Sequence, residues 1–183
     1  MQRQEALALV KKQVKNKNLV KHMLAVEAVM ERLAEHYEED PTTWSLTGLL
    51  HDIDYDQTAD SPADHSKVGA AMLREYGLPE DIVHAVESHN GYHGIPRESR
   101  LSKALYAADP VTGLIVAAAL IHPQKKLSAI DVQFLENRFN EKHFARGADR
   151  GQIKACQELG LELDEFLGLS LEAMQGISKE LGL

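Results

Sequence analysis

Leu49-Leu50-His51-Asp52-Ile53-Asp54 sets an imidazole and a carboxylate side by side in a run that is otherwise mostly apolar. A core-facing helix seldom carries that pair, because burying an ionised carboxylate costs several kcal/mol unless a cation or a full hydrogen-bond set compensates it. His51 and Asp52 therefore ask for a partner, and metal ligation is the reading that supplies one. The surrounding pattern says what element they sit on. Asn18 is a candidate cap for a helix whose apolar positions Leu19, Met23, Val26, Met30, Leu33 and Tyr37 keep helical spacing until Pro41. Thr42 or Thr43 can cap the next helix, which carries the pair. Alternation of β-branched residues at period two is absent, so the fold class is all-α, a compact helical bundle.

Downstream, Ser61-Pro62-Ala63-Asp64 reads as a helix start, with a cap, a proline at the first helical position and a carboxylate in the first turn. This helix is expected to run to Gly77. Pro79-Glu80-Asp81 opens another, which Gly91 is placed to end. Leu101 to Asp109 makes a further helix, interrupted at Pro110, and an alanine-rich apolar helix then runs to His122-Pro123. Ser128, Asp149 and Ser170 are cap candidates for three C-terminal helices. No repeat, low-complexity tract or flexible linker marks a boundary, so the reading is one domain over 1–183. Its core spans about 19–120 and its helical extension about 121–183.

The 183 residues carry a net formal charge of -8, 44% hydrophobic and 5% aromatic content, which fits a single cored domain. Lysine and arginine are scattered rather than massed, which argues against a nucleic-acid duplex as partner, since phosphates demand a basic face. The apolar run Val111 to Ile121 is too short to span a bilayer and no apolar segment opens the chain, so no membrane partner and a cytoplasmic location are expected. Cys156, the single cysteine, reads as an ordinary buried thiol.

Polar residues on faces that should be apolar decide the chemistry. His22 lies one turn before Val26, at the edge of its helix's apolar stripe. His89 shares a stripe with Ile82 and Val86, and His65 falls in the first turn of its helix. Each alone reads as a satisfied core or boundary histidine. Asp109 is harder to dismiss: it follows Leu101 and Leu105 at i+8 and i+4, where leucine is expected and unpaired carboxylates are rare. Four histidines and two aspartates in such places are together satisfied by a divalent metal. Imidazole with carboxylate suits Zn, Mn, Fe, Co or Ni rather than calcium, which draws on oxygen ligands.

The ordered set resembles the HD-domain phosphohydrolase superfamily, whose ligands run His, His-Asp, Asp; here these would be His22, His51, Asp52 and Asp109. The resemblance covers roughly Leu19 to Leu120. Similar members carry two further histidines between the His-Asp pair and the last Asp, matched by His65 in Asp64-His65-Ser66-Lys67-Val68-Gly69-Ala70 and His89 in Val86-Glu87-Ser88-His89. The segment Phe144-Ala145-Arg146-Gly147-Ala148-Asp149-Arg150 resembles the extension of a small uncharacterised subgroup and adds no chemistry of its own. Many signalling phosphodiesterases of the superfamily have Ile-Gly-Lys after the pair and a second histidine after the His89 position. This chain has Ile53-Asp54-Tyr55 and Asn90, which argues against cyclic-dinucleotide cleavage and against a second metal held as tightly as the first, so one metal is expected and a second is conditional.

The resemblance implies a metal-dependent phosphohydrolase acting on a phosphomonoester or phosphodiester of a nucleotide or similar small phosphorylated molecule, with water activated by the metal attacking phosphorus in line. With a second metal, Asp52 would bridge and His65 and His89 would ligate. Without one, the two histidines would face the phosphate as donors or proton carriers, so Asp52, His65 and His89 are the catalytic candidates. Lys67, Asn90, Arg97 and Lys103 are candidate substrate contacts, arginine being favoured for bidentate contact. Asp54 and Asp56 are candidates to orient a ligand imidazole. Tyr55, Tyr92 and Tyr106 are near enough in sequence to stack on a base, though packing explains them equally well. His36, His84, His93, His122 and His143 lie off the ordered motif and read as surface or loop residues. Two alternatives remain open: a di-iron oxygenase on the same fold, which shares this ordered set, and a non-catalytic metal-binding module.

Overall fold

In the computed structural model, which describes residues 1–183, every regular element is helical: α1 (Arg3–Gln13), α2 (Lys17–His36), α3 (Pro41–Leu50), α4 (Tyr55–Thr58), α5 (Lys67–Glu75), α6 (Glu80–His89), α7 (Arg100–Ile121), α8 (Val132–Asn140), α9 (Arg150–Lys154), α10 (Leu163–Gly176) and α11 (Ser178–Leu181). Short 3-10 turns at Gly91–His93, Leu127–Ala129 and Ala155–Leu159 join some of them. The expected all-α class holds.

Several boundaries differ from the sequence expectation, each for a local reason. Asn16 rather than Asn18 caps α2, its side chain accepting from the N–H groups of Asn18 and Leu19. Asp40 rather than a threonine caps α3, because Pro41 takes the first helical position and leaves the residue before it as the cap. Asp131 caps α8 in place of Ser128, and Ser170 is buried within α10, its hydroxyl donating to the Phe166 carbonyl. The helix expected from Ser61 begins only at Lys67, since Ser66 adopts a left-handed φ of 70° that no helix can contain. Pro110 does not divide α7. It has no N–H for the Tyr106 carbonyl, a defect of about 3 kcal/mol in a free helix. Buried residues on both sides of it, Leu101, Leu105, Val111, Leu114 and Ile115, pack into one core and hold the helix through.

Two apolar clusters share the work. One joins α2 and α7 to residues of the extension such as Leu135, Ile153, Phe166 and Met174, so the extension has no separate core. The other packs α1, α3, α5 and α6 through Leu9, Leu49, Leu73 and Ile82, together with Met23 of α2. α7 is long and apolar enough to cross a membrane by length and composition, and 61% of that apolar window is buried in the bundle. The candidate site lies where the two clusters meet, bounded by α2, α3, α6 and α7.

Candidate metal centre

Helix α2 approaches α3 closely enough that a Cβ on Gly48 would stand 2.8 Å from the Val26 carbonyl oxygen and 2.9 Å from the Glu27 Cα, so this position admits only glycine. That approach brings His22 of α2 to His51 at the end of α3, with their Nε2 atoms 3.2 Å apart. Asp109, on α7, reaches the same point: its Oδ1 is 3.1 Å from His22 Nε2 and 3.8 Å from His51 Nε2. Asp52 completes the group, its Oδ2 lying 3.6 Å from His22 Nε2 and 3.4 Å from His51 Nε2.

The other oxygen of Asp52 faces a second pair. Oδ1 is 3.5 Å from His65 Nε2 and 3.5 Å from His89 Nε2. One carboxylate thus lies between two imidazole pairs, an oxygen toward each. His51 and His89 are buried, whereas His22 and Asp109 retain 24% and 28% side-chain exposure, enough to leave the centre open on one side.

All four imidazoles are held in the same tautomer. His51 Nδ1 lies 2.8 Å from the Gly48 carbonyl and His89 Nδ1 lies 2.6 Å from the Val86 carbonyl; a carbonyl only accepts, so both Nδ1 atoms carry hydrogen. His65 Nδ1 donates to Asp54 Oδ1 at 3.2 Å. The Thr112 hydroxyl gives its hydrogen to the Asp109 carbonyl, 2.9 Å away, and therefore accepts from His22 Nδ1 at 3.0 Å. Each Nε2 lone pair is consequently directed at the carboxylates and at other lone pairs. Such facing lone pairs repel unless a proton or a cation sits among them.

A divalent metal fits that arrangement. With metal–nitrogen bonds of about 2.1 Å, adjacent donors lie about 3.0 Å apart in an octahedron and about 3.4 Å apart in a tetrahedron. The donor separations of 3.1 to 3.8 Å around His22, His51 and Asp109 fall close to those values. His22, His51 and Asp109, and separately His51, Asp52 and His89, are placed so that one ion could be reached by each group. The set is nitrogen and oxygen, suited to a transition metal.

Electrostatics point the same way. Burial pushes the His51 imidazole down, but Asp52 and Asp109 beside it outweigh burial and raise it to about 9. Burial opposes ionisation of Asp52 and of Asp109, yet the imidazoles, His51 foremost for Asp52 and His22 for Asp109, hold both carboxyls below their ordinary range. His65 is also raised: burial lowers it, and the hydrogen bond it donates to Asp54, with the charge of Asp52, overcomes that. A field that favours protonated imidazoles favours a cation in their place.

Some supporting residues were foreseen and others were not. Asp54 accepts from the ring of His65, a ligand candidate, and its Oδ2 also accepts from the Ser66 and Gly69 N–H groups at 2.8 and 2.9 Å. Asp56 meets no ligand candidate; it binds the N–H groups of Lys15 and Asn16 at the start of α2. His93, read as a loop residue, donates from Nε2 to the His65 carbonyl at 2.7 Å. Thr112 looked like one more residue of an apolar helix, and nothing in its sequence setting marks its bond to His22. Asn90 donates to the carbonyls of Pro62 and His65, fixing the loop that carries His65. Of the four candidate substrate contacts only Asn90 borders the cavity of about 520 Å³ that opens onto His65, His89 and Asp109. Lys67 is exposed at the start of α5, Lys103 is half-buried on α7, and Arg97 lies over the Tyr106 ring at 3.6 Å with Glu158 as its ionic partner.

The HD domain family matches residues 19–119, the span that holds all six ligand candidates. The chain belongs to the HD domain family. Members are typically metal-dependent phosphohydrolases. Among similar proteins, an uncharacterized protein of Methanocaldococcus jannaschii, MJ0778, is 35% identical over 155 residues, covering 78% of this HD-domain chain and 89% of its own length. Ribonuclease Y of Oleidesulfovibrio alaskensis is 30% identical over 98 residues, 54% of this chain. Ribonuclease Y of Acidothermus cellulolyticus is 32% identical over 98 residues, 52% of this chain. The aligned regions span only 18% and 19% of those two ribonucleases. No solved structure matches the chain.

Proposed function

We propose that this HD-domain protein is a metal-dependent phosphohydrolase that cleaves a small phosphorylated molecule with water. The observation that carries the reading is the position of Asp52, one oxygen toward His22 and His51 and the other toward His65 and His89. His22, His51, Asp52 and Asp109 would hold the first metal, and His65 and His89 with Asp52 a second. A divalent cation bound there lowers the pKa of water and polarises a phosphoryl oxygen. Asp109 and His22 are partly exposed, which leaves the centre open to water and phosphate on that side. Asp54 and the Val86 carbonyl keep the His65 and His89 rings oriented, so that in a one-metal centre an Nε2 atom that has taken up a proton would donate to a phosphoryl oxygen and pass that proton to the leaving oxygen. Gly48, by letting α3 approach α2, brings His51 within reach of His22 without a flexible loop.

The test is phosphate release by purified protein loaded in turn with Mn, Fe, Zn, Co and Ni, on a panel of phosphomonoesters and phosphodiesters. Metal-dependent phosphate release that chelator abolishes is expected. Substrate-dependent oxygen uptake by the iron-loaded protein without phosphate release would overturn the hydrolase reading, and bound metal with neither activity would leave a binding module.

A further inference from the structure

The extension, outside the residues 19–119 that the family match covers, supplies a wall of the cavity above the metal centre. That wall is built firmly. Arg150 gives hydrogen bonds to the carbonyls of Phe139, Phe144, Ala145 and Ala148, which fixes the loop ending at Asp149. Tyr37, just past the end of α2, donates to the Leu159 carbonyl and Arg97 pairs with Glu158, which anchor the next turn to the core. Asp149 and Gln152 of the extension, with Tyr106 of α7, border the same cavity as His65, His89 and Asp109. Asp149 Oδ1 accepts from the Gln152 N–H at 2.9 Å, while its Oδ2, the Gln152 carboxamide and the Tyr106 hydroxyl are engaged with no other protein group. Gly151 leaves room for that cap, since a Cβ there would stand 3.0 Å from Asp149 Oδ1.

The charge of the wall selects its ligand. No lysine or arginine lines the cavity, and Asp149 adds a negative charge to the cavity that the metal centre opens onto. A second phosphate reaching that wall would meet the Asp149 carboxylate, while the neighbouring guanidiniums are already engaged, Arg150 with backbone carbonyls and Arg97 with the Tyr106 ring and Glu158. Neutral hydroxyls meet the opposite situation: Asp149 accepts, while Gln152 and Tyr106 both donate and accept, and hydrogen bonds to a charged acceptor are the stronger kind. Resting on the phosphohydrolase reading, we infer that the substrate is a monophosphate ester of a polyhydroxylated small molecule, its phosphate at the metal centre and its hydroxyls against Asp149, Gln152 and Tyr106. The reaction balances as R–O–PO₃²⁻ + H₂O → R–OH + HPO₄²⁻: the water oxygen bonds to phosphorus, the ester P–O bond breaks and the leaving oxygen takes a proton. The cavity volume of about 520 Å³ holds a sugar phosphate or a nucleoside monophosphate.

Kinetics of the Mn-loaded protein on ethyl phosphate, ribose 5-phosphate and ribose 1,5-bisphosphate test this. The expected kcat/KM for ribose 5-phosphate exceeds both others by about tenfold or more, the scale of one hydrogen bond to a charged group. Asp149→Asn keeps the helix cap but removes the charge. It should shrink the preference over the bisphosphate about fivefold or more, mainly through KM, the scale of the difference between a charged and a neutral acceptor. Gln152→Ala, a second variant that leaves the cap intact, should raise KM for ribose 5-phosphate more than for ethyl phosphate. Calorimetry with the non-hydrolysable methylene phosphonate of ribose should show the same weakening in both variants. Equal use of the three esters by the wild type, or an unchanged preference in both variants, would overturn the inference. Failure of every ester, ethyl phosphate included, with all five metals would instead overturn the hydrolase reading beneath it.

Discussion

The two sides of Asp52 are held in different ways. On one, His22, His51 and Asp109 come from α2, the end of α3 and α7, three helices packed through buried apolar residues. On the other, His89 ends α6, but His65 rides on the turn between α4 and α5. That turn is kept in place by polar contacts: Asp54 binds the His65 ring and two N–H groups, and Asn90 and His93 bind the His65 carbonyl. It also contains Ser66 at a φ of 70°, a conformation that costs about 1–3 kcal/mol in a residue other than glycine. Helix packing fixes the first half of the centre; a hydrogen-bonded and strained turn fixes the second. The first half is therefore expected to bind its ion more tightly.

Removing the shared carboxylate should give the largest effect. Asp52→Asn keeps the shape and takes away the charge that both halves use. On any ester the parent hydrolyses, turnover should fall by about a hundredfold or more, the scale of losing metal activation of water. Metal content measured on the same preparation should fall in parallel. Near-wild-type turnover with added metal would reduce the His-Asp pair to a structural feature.

Next comes the difference between the halves. Protein purified without chelator should contain at least one divalent transition metal per chain. His65→Ala should lower the content beyond the first equivalent and spare the first, whereas His22→Ala should lower the first. If His65→Ala strips all metal, the two sides of Asp52 are one site and the comparison fails.

Protons give a smaller and reversible perturbation. His51 is raised from 6.5 to about 9 by Asp52 and Asp109 acting against burial. A group whose folded value is raised stabilises fully below its unfolded pKa and loses that contribution as pH rises through the folded one. Metal-free protein should therefore lose thermal stability between pH 6.5 and about 9, with His65 adding in the same direction. The metal-loaded protein should show no such fall, because the cation takes the proton's place. Melting curves at fixed ionic strength check both, and a metal-free Tm that is flat across the window would break the argument.

What could be read ahead followed helical periodicity. Asp109 was visible because Leu101 and Leu105 mark a buried face, and His22 because Val26 marks the same for its helix. His65 was found as a residue but placed on a helix, since Ser66 carries no sign of its left-handed backbone; its conformation comes from Asp54 and the Glu87 carbonyl, both distant in sequence. Asp149 was found as a cap, which it is, yet its place over the cavity depends on Arg150 gathering carbonyls from α8 and the following loop. Contacts set by long-range packing leave no local periodicity, and those were the ones missed. Pro110 failed in the opposite sense, a strong local break overridden by the core on either side of it.

Thr112 tests the finest of these contacts. Its hydroxyl can donate only once, and it does so to the Asp109 carbonyl, so it accepts the His22 Nδ1 hydrogen and leaves Nε2 free for metal. Thr112→Val keeps the buried shape, removes the acceptor and frees His22 to place its hydrogen on Nε2, where it blocks ligation. Loss of a partner behind a ligating histidine lowers metal affinity by about tenfold to a hundredfold. The lower end is expected here, because Asp109 still faces His22 Nε2 at 3.1 Å and favours the ring's position. Asp54→Asn, acting on His65, should weaken the second equivalent instead, and the two variants together would separate the halves by metal titration. Nitrogen NMR of the metal-free Thr112→Val protein should show the His22 tautomer shifting toward hydrogen on Nε2. An unchanged tautomer with unchanged affinity would mean that helix packing alone orients His22, and that the first half needs no hydrogen-bond support of the kind the second depends on.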